Sequence, residues 1–294
     1  MRSLNARGEV DREEAPMMRG KTAIVVLGMH RSGTSSVAGA LTLLGAASPR
    51  TLMPAAVDNP KGFWESQLLM EFHDRLLEAG GSNWRDWRSF NLSKLLSEHP
   101  EILSEAQRSL SIEFGKEDLI VLKDPRICRF FALWQTILEA DGYEVAVVMP
   151  LRSPVEVAAS LTARNAMGFE EACRLWLRHV LDAERSSRGL KRLVLDWSDF
   201  LNDWRGAVIR MEDLFCVSLR SNEPGVGEQV DDFLTTELRR QTSDGQTAPD
   251  MAHEAYALLS GAARGGGIEG IEHQLDEIRW AFDQSCVLFA DAPR

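Results

Sequence analysis

One stretch, residues 22–45, constrains the fold of this chain more than any other segment; it reads TAIVVLGMHRSGTSSVAGALTLLG. Ala23–Leu27 is a short, apolar, β-branched run, which is typical of a buried parallel strand. A polar loop begins at Gly28, and apolar residues then recur at helical spacing up to Gly45, which occupies the place of a helix C-cap glycine. A strand, a loop of small residues and a helix in this order direct backbone N–H groups and a helix N-terminus toward an anion. The stretch therefore predicts a binding site for a phosphate-type group.

This loop matches the phosphate-binding loop of nucleoside triphosphatases only in part. That loop has the pattern G-x-x-x-x-G-K-[ST]. Gly28 and Gly33 have the required separation, but Thr34 stands where the lysine belongs. The cation of the loop is Arg31 instead, and hydroxyl side chains follow at 34–36. A tight turn with a capped helix is the structural alternative, but the arginine and the hydroxyl groups favour an anion site.

The rest of the chain alternates short apolar runs with helical patterns. Further strands are predicted over 119–122, 145–149 and 193–195. Helical patterns cover 63–77, 92–114 with a break at Pro100, 130–140, 152–164, 170–188, 251–259 and 271–288. This alternation predicts an α/β fold of three layers, with a central parallel sheet flanked by helices. Ligands of such sheets bind beyond the carboxyl ends of the strands, where we expect Arg31, Lys123 and Arg152.

The segment after the third predicted strand carries a clear helix-start signal. Ser153, Pro154 and Glu156 stand at the positions of an N-cap residue, a first helical proline and a third-position glutamate. This pattern predicts a capping box with the favoured proline. Arg152 is then placed at the carboxyl end of the strand, and Ser160 about two turns into the helix.

We predict a single domain over 21–294, preceded by a flexible tail of residues 1–20. The tail carries charges of both signs and lacks the apolar segment of a secretory signal. Residues 220–294 are predicted to form a helical C-terminal part. Large aromatic residues are concentrated between 84 and 90, where they indicate either a local core under a long loop or a surface that contacts a substrate.

Charge and cysteine content restrict the classes of function. The formal net charge of −11 argues against a broad nucleic-acid surface, because phosphate backbones are held by dense patches of lysine and arginine. The four cysteines are widely spaced without a CxxC pair, which favours reduced thiols in a cytoplasm. No apolar run approaches the roughly 20 residues of a membrane span. We therefore expect a cytoplasmic protein without a transmembrane segment; its oligomeric state is left open.

Two motifs give the chain a resemblance to a known family. Arg31-Ser32-Gly33-Thr34 resembles the 5′-phosphosulfate loop of the sulfotransferases, and Gly28–Ser36, GMHRSGTSS, is especially similar to bacterial members. Arg152 and Ser160 resemble the arginine and serine that hold the 3′-phosphate of the donor in that family. The run 197–201, WSDFL, resembles a later structural stretch with the pattern Tyr-Glu-Asp-Leu-Leu. The resemblance extends from about residue 22 to residue 205.

This resemblance implies a fold and an activity. The implied fold is the P-loop-NTPase-like sulfotransferase fold. The implied activity is transfer of a sulfuryl group from 3′-phosphoadenylyl sulfate (PAPS), as co-substrate and without a metal, to a hydroxyl of a carbohydrate, a glycolipid or a small metabolite. The implied PAPS-binding residues are Arg31, Ser32, Gly33, Thr34, Ser35, Arg152 and Ser160. Residues 46–115 would form the insertion that builds the acceptor site.

The chain departs from the cytosolic phenol and steroid sulfotransferases at several positions. Arg31 replaces their loop lysine, as in tyrosylprotein-type enzymes, and Ser36 replaces the tryptophan that stacks on the adenine. Pro125 stands where their catalytic histidine is found. Their basic, glycine-rich C-terminal segment has only a weak counterpart here, in residues 264–267. The chain is thus closer to carbohydrate and tyrosylprotein sulfotransferases.

Three catalytic residues follow from this comparison. Carbohydrate and tyrosylprotein sulfotransferases use a glutamate between the first loop and the second motif strand, which here implies Glu65 as the general base. Alternatives for the base are His73 and Asp124. Lys123 would steady the transferring sulfuryl group, and Arg31 would face the bridging and leaving oxygens. Arg126, three residues after Lys123, is a candidate contact for an anionic acceptor.

Two other functions compete with a sulfotransferase. One is a P-loop kinase-like phosphotransferase, which Thr34 in the lysine position and the lack of a clear magnesium-binding aspartate disfavour. The other is a non-catalytic nucleotide-binding module, which would keep the anion-binding residues without a working base. Only the base distinguishes this module from an enzyme.

Overall fold

The structure is a computed structural model that describes residues 20–56, 59–235 and 245–287. The predicted tail, residues 1–20, lies outside this part of the chain except for Gly20. The described residues contain a four-stranded parallel sheet with the strand order β2-β1-β3-β4. The strands are β1 Lys21–Val26, β2 Leu119–Lys123, β3 Tyr143–Leu151 and β4 Lys191–Asp196. The predicted parallel sheet is thus confirmed, and each predicted strand lies within or close to an observed one.

Helices cover both faces of this sheet. They are α1 Thr34–Leu43, α2 Gln67–Ala79, α3 Leu92–Glu98, α4 Glu101–Phe114, α5 Phe131–Ala140, α6 Pro154–Asn165, α7 Phe169–Ser186, α8 Trp197–Asn202, α9 Trp204–Phe215, α10 Val226–Phe233, α11 Asp250–Gly261 and α12 Glu272–Val287. Alternate residues of β1 point to opposite faces, so that Ala23 and Val25 pack in one buried cluster, and Ile24 and Val26 in the other. The second cluster is formed with α1, α8, α9 and α10, and the first with the other long helices. The predicted three-layer architecture is therefore confirmed.

The pairing register brings the ends of three strands to one edge of the sheet. Val26, the last residue of β1, is paired with Lys123 of β2 and with Val148 of β3. The loop after β1, the end of β2 and Arg152 after β3 consequently meet at that edge. This is where ligands bind to open α/β sheets.

The predicted capping box at the start of α6 is wrong. Ser153 is the N-cap residue and Pro154 is the first helical residue, but the Ser153 side chain makes no capping hydrogen bond. The Glu156 carboxylate accepts a hydrogen bond from Arg152 Nε at 2.7 Å. A charge-assisted bond to a buried guanidinium is stronger than a bond to a backbone N–H. Glu156 therefore pairs with Arg152 and does not complete the capping box.

The start of α2 also differs from the prediction. The helical pattern from residue 63 becomes a helix only at Gln67, because Ser66 is the N-cap residue and its Oγ accepts from Leu69 N at 2.9 Å. Residues 63–65 form an irregular segment beside the ends of the strands, with Trp64 in the left-handed region at a φ of 56°. Glu65 is thus placed before the helix rather than on its surface.

Glu113, at the end of α4, links separate parts of the predicted insertion, residues 46–115, to one another. Its buried carboxylate accepts from Thr51 N at 2.9 Å, from the Thr51 hydroxyl and from Ser66 Oγ at 2.9 Å. Thr51 lies in the loop after α1, and Ser66 begins α2. One carboxylate therefore fixes the chain on both sides of Glu65.

We expect Glu113→Ala to lower the free energy of unfolding by about 2–3 kcal/mol, because it leaves several buried donors without an acceptor. Urea denaturation followed by circular dichroism measures this change. Glu117→Ala, at an exposed position nearby, is the matched control and should change the free energy by less than about 0.5 kcal/mol. Equal, small losses in both variants would contradict the bracing role of Glu113.

Candidate active site

The loop between β1 and α1 has the backbone of an anion-binding turn. Arg31 and Gly33 both lie in the left-handed region, with φ of 69° and 89°. A non-glycine residue with positive φ is uncommon and is often found at functional sites. Glycine is required at position 33 for two reasons. Its φ is positive, and a Cβ at this position would lie 2.3 Å from Trp197 Cε3. The loop can therefore approach Trp197 only with glycine at this position.

The N-terminus of α1 is open toward the loop. Gly33 is its N-cap residue and provides no side-chain cap. Within the described residues, Ser32 N–H donates to Met29 O at 3.2 Å, whereas the N–H groups of Gly33, Thr34 and Ser35 have no hydrogen-bond acceptor. Free N–H groups at the start of a helix are ready donors to an anion. The N–H groups of Gly33, Thr34 and Ser35 are thus available to an anion, whereas the Ser32 N–H group already donates to Met29 O.

Arg31, Arg152 and Ser160 are in direct contact, although they are far apart in the sequence. Arg31 Nε donates to Ser160 Oγ at 2.8 Å, and Arg152 Nη1 donates to the carbonyl of Arg31 at 3.2 Å. Arg152 and Ser160 are both buried. The two predicted phosphate-binding groups therefore adjoin through Arg31.

Lys123 and Glu65 form a buried ion pair at the end of β2. Lys123 Nζ donates to Glu65 Oε1, to Ser35 Oγ at 3.1 Å and to the carbonyl of Phe63 at 3.1 Å. Burial raises the pKa of Glu65, and the nearby charge of Lys123 opposes this effect. The pair joins the loop before α2 to both the sheet and the first turn of α1.

These residues line one cleft at the edge of the sheet where the strands end. We call it the donor cleft; it has a volume of about 720 Å³, part of it open to solvent. The predicted residues in its wall are Arg31, Gly33, Thr34, Ser35, Glu65, Lys123 and Arg152. Ser32 and Ser160 are buried beside it without lining it. Ser36 and Pro125 also lie in the wall, whereas Arg264 does not.

Buried polar atoms without hydrogen-bond partners are concentrated around the donor cleft. Of the six such side-chain atoms in the described part of the chain, four belong to residues of the loop or of the cleft wall. They are His30 Nε2, Ser32 Oγ, Arg152 Nη2 and Trp197 Nε1. Buried polar groups are nearly always satisfied in native proteins. A polar ligand with several oxygen atoms would satisfy these atoms.

His73 and Asp124, the alternative bases, belong to a buried network instead. His73 Nδ1 donates to Asp124 Oδ2 at 2.9 Å, and Trp134 Nε1 donates to His73 Nε2 at 2.9 Å, so both ring nitrogens are used. The other oxygen of Asp124 accepts from the backbone and the guanidinium of Arg126. Burial opposes ionisation, but Arg126 and His73 hold the pKa of Asp124 well below its usual range. Neither residue lines the donor cleft.

Sequence reasoning did not select six residues of the cleft wall as site residues, namely His30, Asn59, Pro60, Phe63, Arg164 and Trp197. His30 is part of the loop, and Trp197 follows β4 directly, so their positions at strand ends were an available signal. Arg164 lies at the end of α6, with its guanidinium 5.7 Å from the centre of the Phe63 ring. Its place in the cleft depends on how α6 packs, which local sequence does not reveal.

The aromatic segment 84–90 packs against the core and is held there by two arginines. Arg129 donates to the carbonyls of Asp86 and Arg88, and Arg178 donates to the carbonyl of Trp87 at 2.9 Å. Its residues are partly buried against the larger cluster, as expected for a local core. At one end of the segment, Trp84 meets His30 edge-on, with ring centres 5.3 Å apart. The local core is thus confirmed, and contact of this segment with a substrate stays a prediction.

Among the described residues, no group of three or more His, Cys, Asp or Glu side chains is placed to hold a metal ion. No helix in residues 20–56, 59–235 and 245–287 is long and apolar enough to cross a membrane.

Comparison with known proteins identifies the fold. No protein-family model and no curated protein matches the chain. The sulfotransferase domain of the olefin synthase from Synechococcus PCC 7002 aligns with it at a TM-score of 0.50 and 15% sequence identity, over 81% of this chain and 94% of that domain. The chain has the fold of a sulfotransferase domain. At this identity the likeness extends to the fold alone, and it confirms the predicted fold class.

A looser likeness is to sulfotransferase STF1 from Mycobacterium tuberculosis H37Rv. The TM-score is 0.47 at 17% identity, over 81% of this chain and 76% of that protein.

Two histidines beside the donor cleft are held neutral. Burial and the nearby charge of Arg126 lower the pKa of His30 well below its ordinary value. Burial and the charge of Arg129 lower the pKa of His179 to about 4, although its Nδ1 donates to Leu175 O at 2.9 Å. His179 stacks edge-on with His30, with ring centres 6.3 Å apart. The imidazole rings of His30 and His179 therefore add no positive charge to the site near neutral pH.

We expect His179 to make the protein less stable as the pH falls from 7 to 5. The unfolded chain binds a proton at His179 below about pH 6.5 and the folded chain does not, so acid favours unfolding by about 2 kcal/mol over this range. Urea denaturation at each pH measures the slope. His179→Gln should remove this part of the slope, whereas His253→Gln, at an exposed histidine, should not. A variant slope equal to that of the wild type would contradict the low pKa.

Proposed function

We propose that this protein is a sulfotransferase that transfers a sulfuryl group from PAPS to a hydroxyl of a carbohydrate, a glycolipid or a small metabolite. The observation that carries the proposal is the set of unpartnered buried donors around the donor cleft. Arg152 Nη2, Ser32 Oγ and Trp197 Nε1 lie there beside the uncapped N-terminus of α1. Together they suit a ligand with more than one anionic group, and the fold likeness supports the same reading.

In this proposal the donor is held by its two phosphate ends. The free N–H groups of Gly33, Thr34 and Ser35 would bind the 5′-phosphate. Arg152, with its unpartnered Nη2, and Ser160 would bind the 3′-phosphate. Arg31 belongs to the same loop as Gly33, contacts Ser160 and Arg152, and carries a permanent charge, so it can face the bridging oxygen between sulfur and the 5′-phosphate. Trp197 Nε1 adds a donor in the wall near Gly33.

The proposed reaction exchanges one sulfur–oxygen bond for another. The acceptor oxygen bonds to sulfur while the bond from sulfur to the bridging oxygen breaks, and the electron pair of that bond remains on the nucleotide. The hydroxyl proton passes to a base. The products are a sulfate ester and 3′,5′-adenosine bisphosphate. Because negative charge grows on the bridging oxygen, fixed cations and N–H dipoles near it lower the barrier.

Glu65 is the proposed base and Lys123 its partner. Burial raises the pKa of Glu65, which makes the carboxylate a better proton acceptor near neutral pH. Protonation of Glu65 would weaken its bond to Lys123 and leave the lysine charge available to the transferring sulfuryl group. His73 and Asp124 are disfavoured as bases because their polar atoms are engaged with each other, with Trp134 and with Arg126.

The two alternative functions, a P-loop kinase and a non-catalytic nucleotide-binding module, differ from a sulfotransferase in testable ways. A P-loop kinase would place a lysine where Thr34 stands, and its activity would depend on Mg²⁺. A non-catalytic module would bind the nucleotide without turnover. The cytoplasmic location remains a prediction of the sequence.

We expect 3′,5′-adenosine bisphosphate to raise the melting temperature of the protein without Mg²⁺, and ATP with Mg²⁺ to raise it little. Arg152→Ala should weaken binding of the bisphosphate by about 10- to 100-fold, since it removes charge-assisted hydrogen bonds. Binding of adenosine 5′-phosphate should change much less, because this nucleotide has no 3′-phosphate. Isothermal titration with both nucleotides measures the two effects.

The ratio of the affinities for the bisphosphate and for adenosine 5′-phosphate distinguishes a loss of 3′-phosphate recognition from damage to the loop. Arg152 also supports the carbonyl of Arg31, so a collapsed loop would weaken both nucleotides equally. Arg210→Ala, at an exposed arginine on α9, controls for a simple change of net charge. Equal losses for both nucleotides with Arg152→Ala, or a selective response to ATP with Mg²⁺, would refute the proposed donor.

We expect Glu65→Gln to lower turnover by about 10²- to 10⁴-fold, the contribution typical of a general base. Glutamine keeps the size of the side chain and an oxygen for Lys123, so the bisphosphate affinity should stay within about twofold of wild type. The measurement is transfer of labelled sulfate from PAPS to 2-naphthol or methyl N-acetylglucosaminide. Glu71→Gln, on the exposed side of α2, is the matched control. Unchanged turnover of Glu65→Gln would remove Glu65 as the base.

A further inference from the structure

A second cavity opens beside the donor cleft, and we call it the side cavity. It has a volume of about 660 Å³ and shares four wall residues with the donor cleft. These are His30, Phe63, Glu65 and Arg164. The proposed base therefore faces both spaces. A molecule in the side cavity can present an atom to Glu65 while the rest of it stays outside the donor cleft.

The wall of the side cavity is half apolar. Its apolar members are Met53, Phe63, Met70, Trp84 and Leu161. Trp84 presents an aromatic ring on a segment fixed by Arg129 and Arg178, so this part of the wall is rigid. Two methionines add adaptable, polarisable surface. A wall of this kind favours a ligand with an apolar body.

The three charged side chains of this wall, Arg126, Arg164 and Glu65, all have partners, and the Arg164 guanidinium lies 5.7 Å from the centre of the Phe63 ring. Arg126 is bound by Asp74 and Asp124, with its Nε 2.6 Å from Asp74 Oδ1 and its Nη1 3.1 Å from Asp124 Oδ1. Glu65 is paired with Lys123. The side cavity therefore offers little to a charged acceptor, and the earlier candidate role of Arg126 toward an anionic acceptor is disfavoured.

Two buried polar atoms of the wall have no hydrogen-bond partner in the described structure. They are His30 Nε2 and Asn165 Oδ1. The oxygen of Asn165 needs a donor. A neutral imidazole nitrogen takes a donor or an acceptor, according to its tautomer, and the lowered pKa of His30 keeps the ring neutral. A hydroxyl group serves both atoms, since it donates and accepts.

We propose that the side cavity binds the acceptor and selects an uncharged molecule with an apolar body and two hydroxyl groups. One hydroxyl faces Glu65 and is sulfated; the other is held by His30 Nε2 or Asn165 Oδ1. His30 and Asn165 are thus residues that determine specificity. This inference rests on the proposed function, because it places the acceptor next to the proposed base. A free sugar is disfavoured, since two unpartnered polar atoms cannot satisfy its many hydroxyl groups.

The test compares two probes that differ by one hydroxyl group, 2-naphthol and 2,3-dihydroxynaphthalene. Each is titrated into the full chain loaded with 3′,5′-adenosine bisphosphate, and methyl glucopyranoside is titrated as the sugar probe. We expect the dihydroxy compound to bind about fivefold more tightly than 2-naphthol, the effect of one neutral hydrogen bond. Methyl glucopyranoside should bind more weakly than either.

Variants then assign the extra hydrogen bond. His30→Phe keeps an aromatic ring against Trp84, and Asn165→Leu keeps the side-chain size. At least one of them should remove the advantage of the dihydroxy compound and leave 2-naphthol affinity within about twofold. His253→Phe, the same exchange at an exposed histidine outside both cavities, should preserve the advantage.

The outcomes are separable. Equal affinities of the two naphthalene compounds in the wild type, or an advantage that survives in both variants, would overturn the proposed selection of a diol. Binding of methyl glucopyranoside alone would overturn the apolar body and indicate a sugar acceptor. Failure of the bisphosphate itself to bind, read in the preceding titration, would instead overturn the proposed function.

Discussion

The buried ion pair between Lys123 and Glu65 is the interaction on which the site depends. It crosses 58 residues of sequence and ties the segment before α2 to the end of β2. Removing one partner of such a pair leaves a buried charge without compensation, which is strongly destabilising. The same lysine reaches Ser35 in the first turn of α1. The end of β2, the first turn of α1 and the segment before α2 are thus joined at one nitrogen atom.

Around this pair, the two spaces of the site are built on different supports. The donor cleft is formed by the loop after β1 and by Arg152, which follows β3 and holds the carbonyl of Arg31. The side cavity is lined by residues of the segment 46–115, which Glu113 fastens at Thr51 and Ser66, and by the end of α6. The two spaces share His30, Phe63, Glu65 and Arg164, so substitutions at these positions affect both.

Much of the donor cleft was predictable from local sequence. The strand, loop and helix of residues 21–43 follow from hydrophobic periodicity and from the glycine at 33. The convergence of Arg31, Lys123 and Arg152 follows from a general property of parallel sheets. The capping box failed for a reason that the local pattern does not contain. Glu156 had a stronger partner in Arg152, whose burial depends on the packing of α6 and α7.

The sequence by itself determined the layers of the fold, the position of the loop and the residues at the strand ends, because these depend on local periodicity and on backbone sterics. Only the tertiary structure decided which side chains face each other across the site. In the folded chain, His73 and Asp124 are hydrogen-bonded in a buried network, and Glu65 forms an ion pair with Lys123. Trp84, Asn165 and His30 line the same cavity. Such contacts join segments separated by many residues, and they depend on how helices pack rather than on any local pattern.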